Sequence, residues 1–177
     1  MYQISKPYRD YIYVDSKIPS NIFEWRQGIK HDCSKVMEFK ISGNKIKNGF
    51  GEEMELKKDI EDTYIYGLLK SSDIKKFEIK DVRKNVIVTQ KKIREKTDSI
   101  QFLAPKTWQY LKKHEQLLDA RKSSIYKNSP KFAIFGVGEY SFNNYKVAIS
   151  GMYKKPQFSL IYPSNNKPTR HQNYQAQ

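Results

Sequence analysis

One stretch of this chain is periodic enough to form a substantial helix, and short strand-like runs surround it. From Pro105 to Arg121, Trp108, Leu111, Glu115 and Leu118 mark one side at helical spacing, and Leu117 and Ala120 widen the apolar stripe. Pro105 suits a first turn, where a missing N–H removes no hydrogen bond. Tyr11–Val14, Val36–Ile41, Lys84–Gln90, Lys131–Val137, Lys146–Ile149 and Phe158–Tyr162 read as strands from their alternation or β-branched content. The Val36–Ile41 run turns at Ser42-Gly43-Asn44, and its partner returns through Lys45–Asn48 to Met54–Leu56 with bends at Gly49 and Gly51. Pro19-Ser20-Asn21 reads as a turn and Trp25–Lys35 as a loop around Gly28. Glu61–Lys70 has apolar residues at helical spacing behind acidic ones, so a second helix is expected there. The pattern is α+β: a mixed or mainly antiparallel sheet, a few helices, and one long helix near 105–121. The 177 residues suit a single domain over 1–163, with 164–177 expected as a disordered polar tail.

Charge narrows the function. The formal net charge is +14, and it arises in two segments. Residues 75–96 hold nine basic and three acidic side chains, and residues 121–177 hold nine against the single acid Glu139. Sorted charge repels itself in the folded state, and a polyanion such as nucleic acid relieves that repulsion. The lone cysteine, Cys33, excludes an internal disulfide and fits a cytoplasmic location. His31, His114 and His171 lie far apart, so no metal site is expected. No apolar run has the length of a membrane-spanning helix, and no membrane partner is expected.

The block Phe132–Ile161 (FAIFGVGEYSFNNYKVAISGMYKKPQFSLI) resembles the C-terminal region of bacterial adenine-specific (N6) DNA methyltransferases of restriction–modification systems, bifunctional enzymes included. Trp25–Cys33 (WRQGIKHDC), Tyr64–Ile74 (YIYGLLKSSDI), Val86–Ile93 (VIVTQKKI) and Trp108–Tyr126 match in the same order. In that family the region is the target recognition domain, which grips DNA and reads bases. The resemblance implies a target-recognition-like domain whose partners are double-stranded DNA and a methyltransferase catalytic domain or subunit. Neither an Asn-Pro-Pro-Tyr motif nor a cofactor-binding Gly-rich loop followed by a helix occurs here. No catalytic or cofactor residue is therefore assigned to this chain, and S-adenosylmethionine is expected on a separate catalytic domain. The family's chain usually continues in ordered form past the Phe158–Ile161 strand, so a recognition domain standing alone or cut from a longer enzyme is expected.

Candidate DNA-contacting residues follow from charge, turn chemistry and the resemblance together. Gln90, Lys91, Lys92 and Arg94 follow a strand, where cations can clamp phosphates and Gln or Arg can read a base edge. The alternative is a solvated surface run. Arg121, Lys122 and Ser123 close the long helix, where the cations either complement its C-terminus or bind phosphate. Tyr140, Asn143, Tyr145 and Lys146 follow two glycines. Asn pairs with adenine and Lys with phosphate or guanine, but turn residues beside a buried Phe142 would look the same. Lys30 lies in a loop that the resemblance places near the junction with the catalytic domain. Two further readings compete. Asp73, Glu78 and Lys80 have the residue types of a small Mg²⁺-dependent nuclease, and the charge also permits an RNA-binding protein.

Overall fold

The structure, a computed structural model, describes residues 26–150, 157–163 and 170–172. The strand and turn expected at Tyr11–Val14 and Pro19–Asn21 lie outside the described residues, as does Trp25. The fold is α+β. A short helix α1 (Ser34–Met37) leads into strands β1 (Glu38–Ser42) and β2 (Lys45–Asn48), whose hairpin turns at Gly43 in the left-handed region (φ 59°). Strands β3 (Glu53–Glu55), β4 (Ile65–Lys70), β5 (Glu78–Ile79) and β6 (Lys84–Ile87) follow. Helices α2 (Ile100–Leu103), α3 (Pro105–Lys113) and α4 (Glu115–Asp119) come next, then β7 (Lys146–Ile149), β8 (Phe158–Ile161) and β9 (Arg170–Gln172). Six strands form one sheet in the order β3-β2-β1-β6-β4-β9, antiparallel except for the parallel β4–β9 pair. A smaller sheet has the order β5-β8-β7.

The main core lies between the large sheet and the helices. Phe39, Ile46 and Ile87 from the strands meet Tyr110, Leu111 and Leu118 from α3 and α4. The Tyr110 hydroxyl, buried with them, donates to the Val36 carbonyl (2.8 Å) and accepts from Asn48 Nδ2 (3.0 Å), so no polar atom of that ring is left unpaired. Trp108 lies edge-on to Phe132 at 5.1 Å, in the anchoring role its type suggests.

The structure departs from the sequence expectations at five places. Glu61–Lys70 does not form a helix: its second half is β4, flanked by β6 and β9, with Ile65, Gly67, Leu68 and Leu69 all buried. A strand buried on both faces shows an apolar run, which periodicity alone cannot tell from a helix. The acid in front of it does cap a helix, but a distant one. Glu61 accepts hydrogen bonds from the Lys106 and Thr107 amides and the Thr107 hydroxyl at the start of α3. Burial would raise its pKa, and these bonds bring it below the usual carboxylate value. The long helix is broken at His114 (φ −104°, ψ 15°), so α3 and α4 are separate. The His114 ring is held near the break by Glu52 at 3.1 Å, by the stacked Phe50 ring and by an edge-type contact with Tyr110.

The Trp25–Lys35 loop ends early, because α1 begins at Ser34. Lys131–Val137 is not a strand either; it is an irregular thread with one antiparallel bridge between Lys30 and Phe135. Within the segment read as a tail, Arg170–Gln172 add a parallel edge strand to β4.

Gly136 fixes the close approach of this thread. Its φ is 66°, and a Cβ there would overlap the Gly28 carbonyl. Gly136→Ala is expected to lower stability by about 2–3 kcal/mol, since left-handed strain adds to a clash with backbone. Thermal unfolding measures it, and an unchanged Tm would refute the packing described.

Candidate nucleic-acid interface

The thread from Lys131 to Val137 is the hub on which three of the candidate residues, Lys30, Gln90 and Arg121, meet. With a single bridge pair and no ladder, it satisfies much of its backbone through side chains. The Thr89 hydroxyl donates to the Phe132 carbonyl (2.9 Å), and the Gln90 side-chain oxygen accepts from the Ile134 amide (2.9 Å). Arg121 Nη1 donates to the Ala133 carbonyl (2.6 Å), while Lys30 and Phe135 exchange both backbone bonds (2.9 and 2.8 Å). Phe132 sits at φ 59°, a conformation that costs a bulky residue about 1 kcal/mol or more and persists only where surroundings impose it. Lys30, the loop after β6 and the segment after α4 are thereby drawn onto one thread.

Gln90 and Arg121 are builders of this arrangement. Gln90 is 2% exposed; its amide nitrogen donates to the Glu95 carbonyl while its oxygen holds Ile134. Reaching a base edge would break both bonds. The Arg121 guanidinium donates to the Leu118, His31 and Ala133 carbonyls and stacks on Tyr126 at 3.8 Å. Burial draws its pKa below the usual value. The helix-end reading of Arg121 is the nearer one, since Leu118 belongs to the last turn of α4.

The loop beyond Gln90 projects outward. The Glu95 carboxylate accepts from the Lys91 amide (2.6 Å) and the Lys92 amide (3.0 Å), closing the loop on itself. Arg94 takes a left-handed backbone (φ 64°), and Lys91, Lys92, Ile93 and Arg94 are all exposed. Lys92 reaches Glu139 at 3.1 Å, which brings the loop beside the segment holding Tyr140, Asn143, Tyr145 and Lys146. In that segment the Tyr140 hydroxyl donates to the Gln27 carbonyl (3.1 Å), and Lys146 Nζ donates to the Ser141 carbonyl (3.0 Å). Asn143 and Tyr145 are exposed, with the Tyr145 ring edge-on to Tyr162 at 5.5 Å. Lys80 lies over the Tyr162 ring at 5.6 Å. Contacts therefore link the two cationic segments. Lys122 is exposed and Ser123 half-buried, just past the end of α4. Lys30 pairs with Asp32 at 3.6 Å, both partly exposed.

A buried ionic cluster was not legible in the sequence. The Glu38 side chain, 2% exposed, lies 2.6 Å from Lys84 Nζ, 2.7 Å from Lys70 Nζ and 3.4 Å from His31 Nε2. Only the Lys84 contact is a well-aligned hydrogen bond; Glu38 Oε1 and His31 Nε2 have none, so their attraction is electrostatic. Burial pushes the Glu38 carboxyl up, but the contacts with His31, Lys70 and Lys84 outweigh it and lower the pKa to about 2.

Over 150 residues, 85% of its length, the chain is 53% identical to Type II methyltransferase M.NspV of Nostoc sp.. The chain is methyltransferase-related. It spans 30% of that relative's length. No family model and no solved structure match it.

Two other chemistries fit the residues less well. Asp73, needed as a metal ligand for a nuclease, is engaged by Arg83 Nε (2.6 Å) and Nη2 and accepts from the Lys70 amide. Glu78 and Lys80 stand 4.0 Å apart, and no group of three ligating side chains occurs among the described residues. The Gly136–Gly138 pair does not fit a cofactor cradle: Gly136 is closed by Gly28, and Gly138 is faced by the Tyr140 ring. Among the described residues no helix is long and apolar enough to cross a membrane.

Replacing Glu38 leaves Lys70 and Lys84 without their shared counter-charge. Glu38→Gln is expected to destabilise by about 3 kcal/mol, and denaturant unfolding checks it. The folded pKa of Glu38 lies below its ordinary 4.5, so its stabilisation is present above that value and is lost as pH falls from 4.5 towards about 2. The variant should lack this part of the acid dependence; an identical acid profile would contradict it.

Proposed function

We propose that the chain binds duplex DNA sequence-specifically, as the target recognition part of an adenine-N6 DNA methyltransferase of a restriction–modification system. The observation that carries this reading is the convergence of the Lys91–Arg94 loop and the Tyr140–Lys146 segment beside one thread, in a chain related to part of a Type II methyltransferase. Lys91, Lys92 and Arg94 neutralise phosphates, with Lys122 and Lys30 as further cations on neighbouring segments. Asn143 and Tyr145, exposed on the adjoining segment, are the side chains offered to base edges. Gln90 and Arg121 act through the scaffold. Methyl transfer and the pocket for an extruded adenine belong to a catalytic domain outside this chain, which supplies S-adenosylmethionine chemistry. Function in the cytoplasm follows from this role.

Binding of the isolated chain to duplex DNA should be weak and strongly salt-dependent, with a slope of log K against log [salt] steeper than about −4. Replacing Lys91, Lys92 and Arg94 together by Gln should flatten that slope by about 2 units or more. Fluorescence anisotropy across a salt series measures both. A wild-type slope near zero would sink the reading, tighter binding to structured RNA than to duplex would favour an RNA partner, and plasmid cleavage in Mg²⁺ would favour a nuclease.

A further inference from the structure

We infer that the face of the six-stranded sheet formed by β2, β1 and β6 is a second phosphate-binding site, a lysine-lined groove that takes a phosphodiester of a nucleic-acid backbone. The ligand's identity as DNA rests on the function proposed above; the site's preference for phosphate does not. Apart from Lys84, its lysines lie outside the two cationic segments, and none of them belongs to the interface built on the Lys131–Val137 thread.

Strand register creates the site. Lys40 on β1 stands directly opposite Lys47 on β2. On the other side, β1 pairs with β6 through Phe39 and Asn85, and one step further along that ladder lies Lys84 beside Lys40. Strands are about 4.8 Å apart, so three lysines rise in a row across roughly 10 Å. Like charges directly opposed across strands are destabilising, and a row of three is a local conflict that an anionic ligand resolves.

The acids on this face resolve it only in part. Lys84 shares Glu38 with Lys70, and half-exposed Lys47 is paired with Glu53 at 2.7 Å on the edge strand. Lys40 has no carboxylate within ion-pair distance among the described residues. Lys35 projects from α1 over the Phe50 ring at 5.6 Å and also lacks one. These lysines line an open groove of ≈ 420 Å³ together with Glu38, already engaged by Lys84 and Lys70, and with Gly49 and Gly51. Gly49 sets its width: a Cβ there would stand 2.6 Å from Lys35 Cα, so only glycine lets α1 draw this close, and the Gly49 amide donates to the Lys35 carbonyl (2.9 Å).

The chemistry selects phosphate. No guanidinium fork is present to grip a carboxylate in two places, whereas ammonium point charges on flexible stems suit a phosphodiester chain. The groove is shallow and open, shaped for a backbone rather than for a buried side chain.

The test uses the full chain carrying Lys35→Gln and Lys40→Gln, two exposed positions, with Lys57→Gln/Lys58→Gln as a charge-matched control. Thermal unfolding verifies that both variants fold. On duplex DNA the groove variant should flatten the salt slope by about 1–2 units, and by the same amount on unrelated sequences, while the control changes little. A groove variant indistinguishable from the control, in a protein whose Lys91/Lys92/Arg94 variant does lose affinity, overturns the groove and leaves the DNA-binding function standing. Should the wild type bind no DNA, titration with inorganic phosphate decides. Amide shifts at Lys35, Lys40 and Gly49 that vanish in the groove variant support the site, and their absence in the wild type removes it. Shifts provoked by an acidic peptide but not by phosphate also overturn it.

Discussion

The fold depends on an irregular thread being held as firmly as a strand. Lys131–Val137 crosses the protein without joining either sheet, yet its carbonyls and amides are met by Thr89, Gln90, Arg121 and the backbone of Lys30. Each such bond contributes on the order of 1 kcal/mol net, but an unmet buried partner costs more. The thread therefore ties together parts of the chain that no ladder connects. Through it the loop after β6, the segment after α4 and the Gln27–Lys30 stretch become neighbours.

A second constraint is ionic. Glu38 opens β1, where its side chain falls on the sheet face shared with Lys84, and Lys70 at the end of β4 closes on it from the next strand but one. Burying one carboxylate beside two ammonium groups is tolerable because its charge is fully countered and one lysine hydrogen-bonds it well, while the second lysine keeps partial access to solvent. The triad pins three neighbouring strands at the point where His31 leads in from the thread side.

How much of this could be read from residues alone follows from the range of the interactions. The β1–β2 hairpin was legible, because turn chemistry and alternation are local. The α+β class was legible from the mixture of periods. Helix and strand were confused at Ile65–Lys70, because burial on both faces erases alternation. The break at His114 was hidden because the groups that meet its ring there, Glu52 and Phe50, lie far along the chain. Among the candidate contacts, composition could mark Gln90 and Arg121 but could not reveal that their polar atoms face inward. The row of Lys40, Lys47 and Lys84 was invisible for a related reason: Lys40 and Lys47 sit in a stretch whose charges cancel in sequence, and only pairing register brings them side by side.

The Glu95-closed loop has an evolutionary consequence. What holds it, the Gln90 amide and the Glu95 carboxylate, lies at its base, whereas Lys91, Ile93 and Arg94 at its crown are exposed. Crown and base can thus vary independently. Substitutions at the crown meet little resistance from folding, so a lineage can drift through alternative chemistries at this spot while the scaffold beneath stays the same.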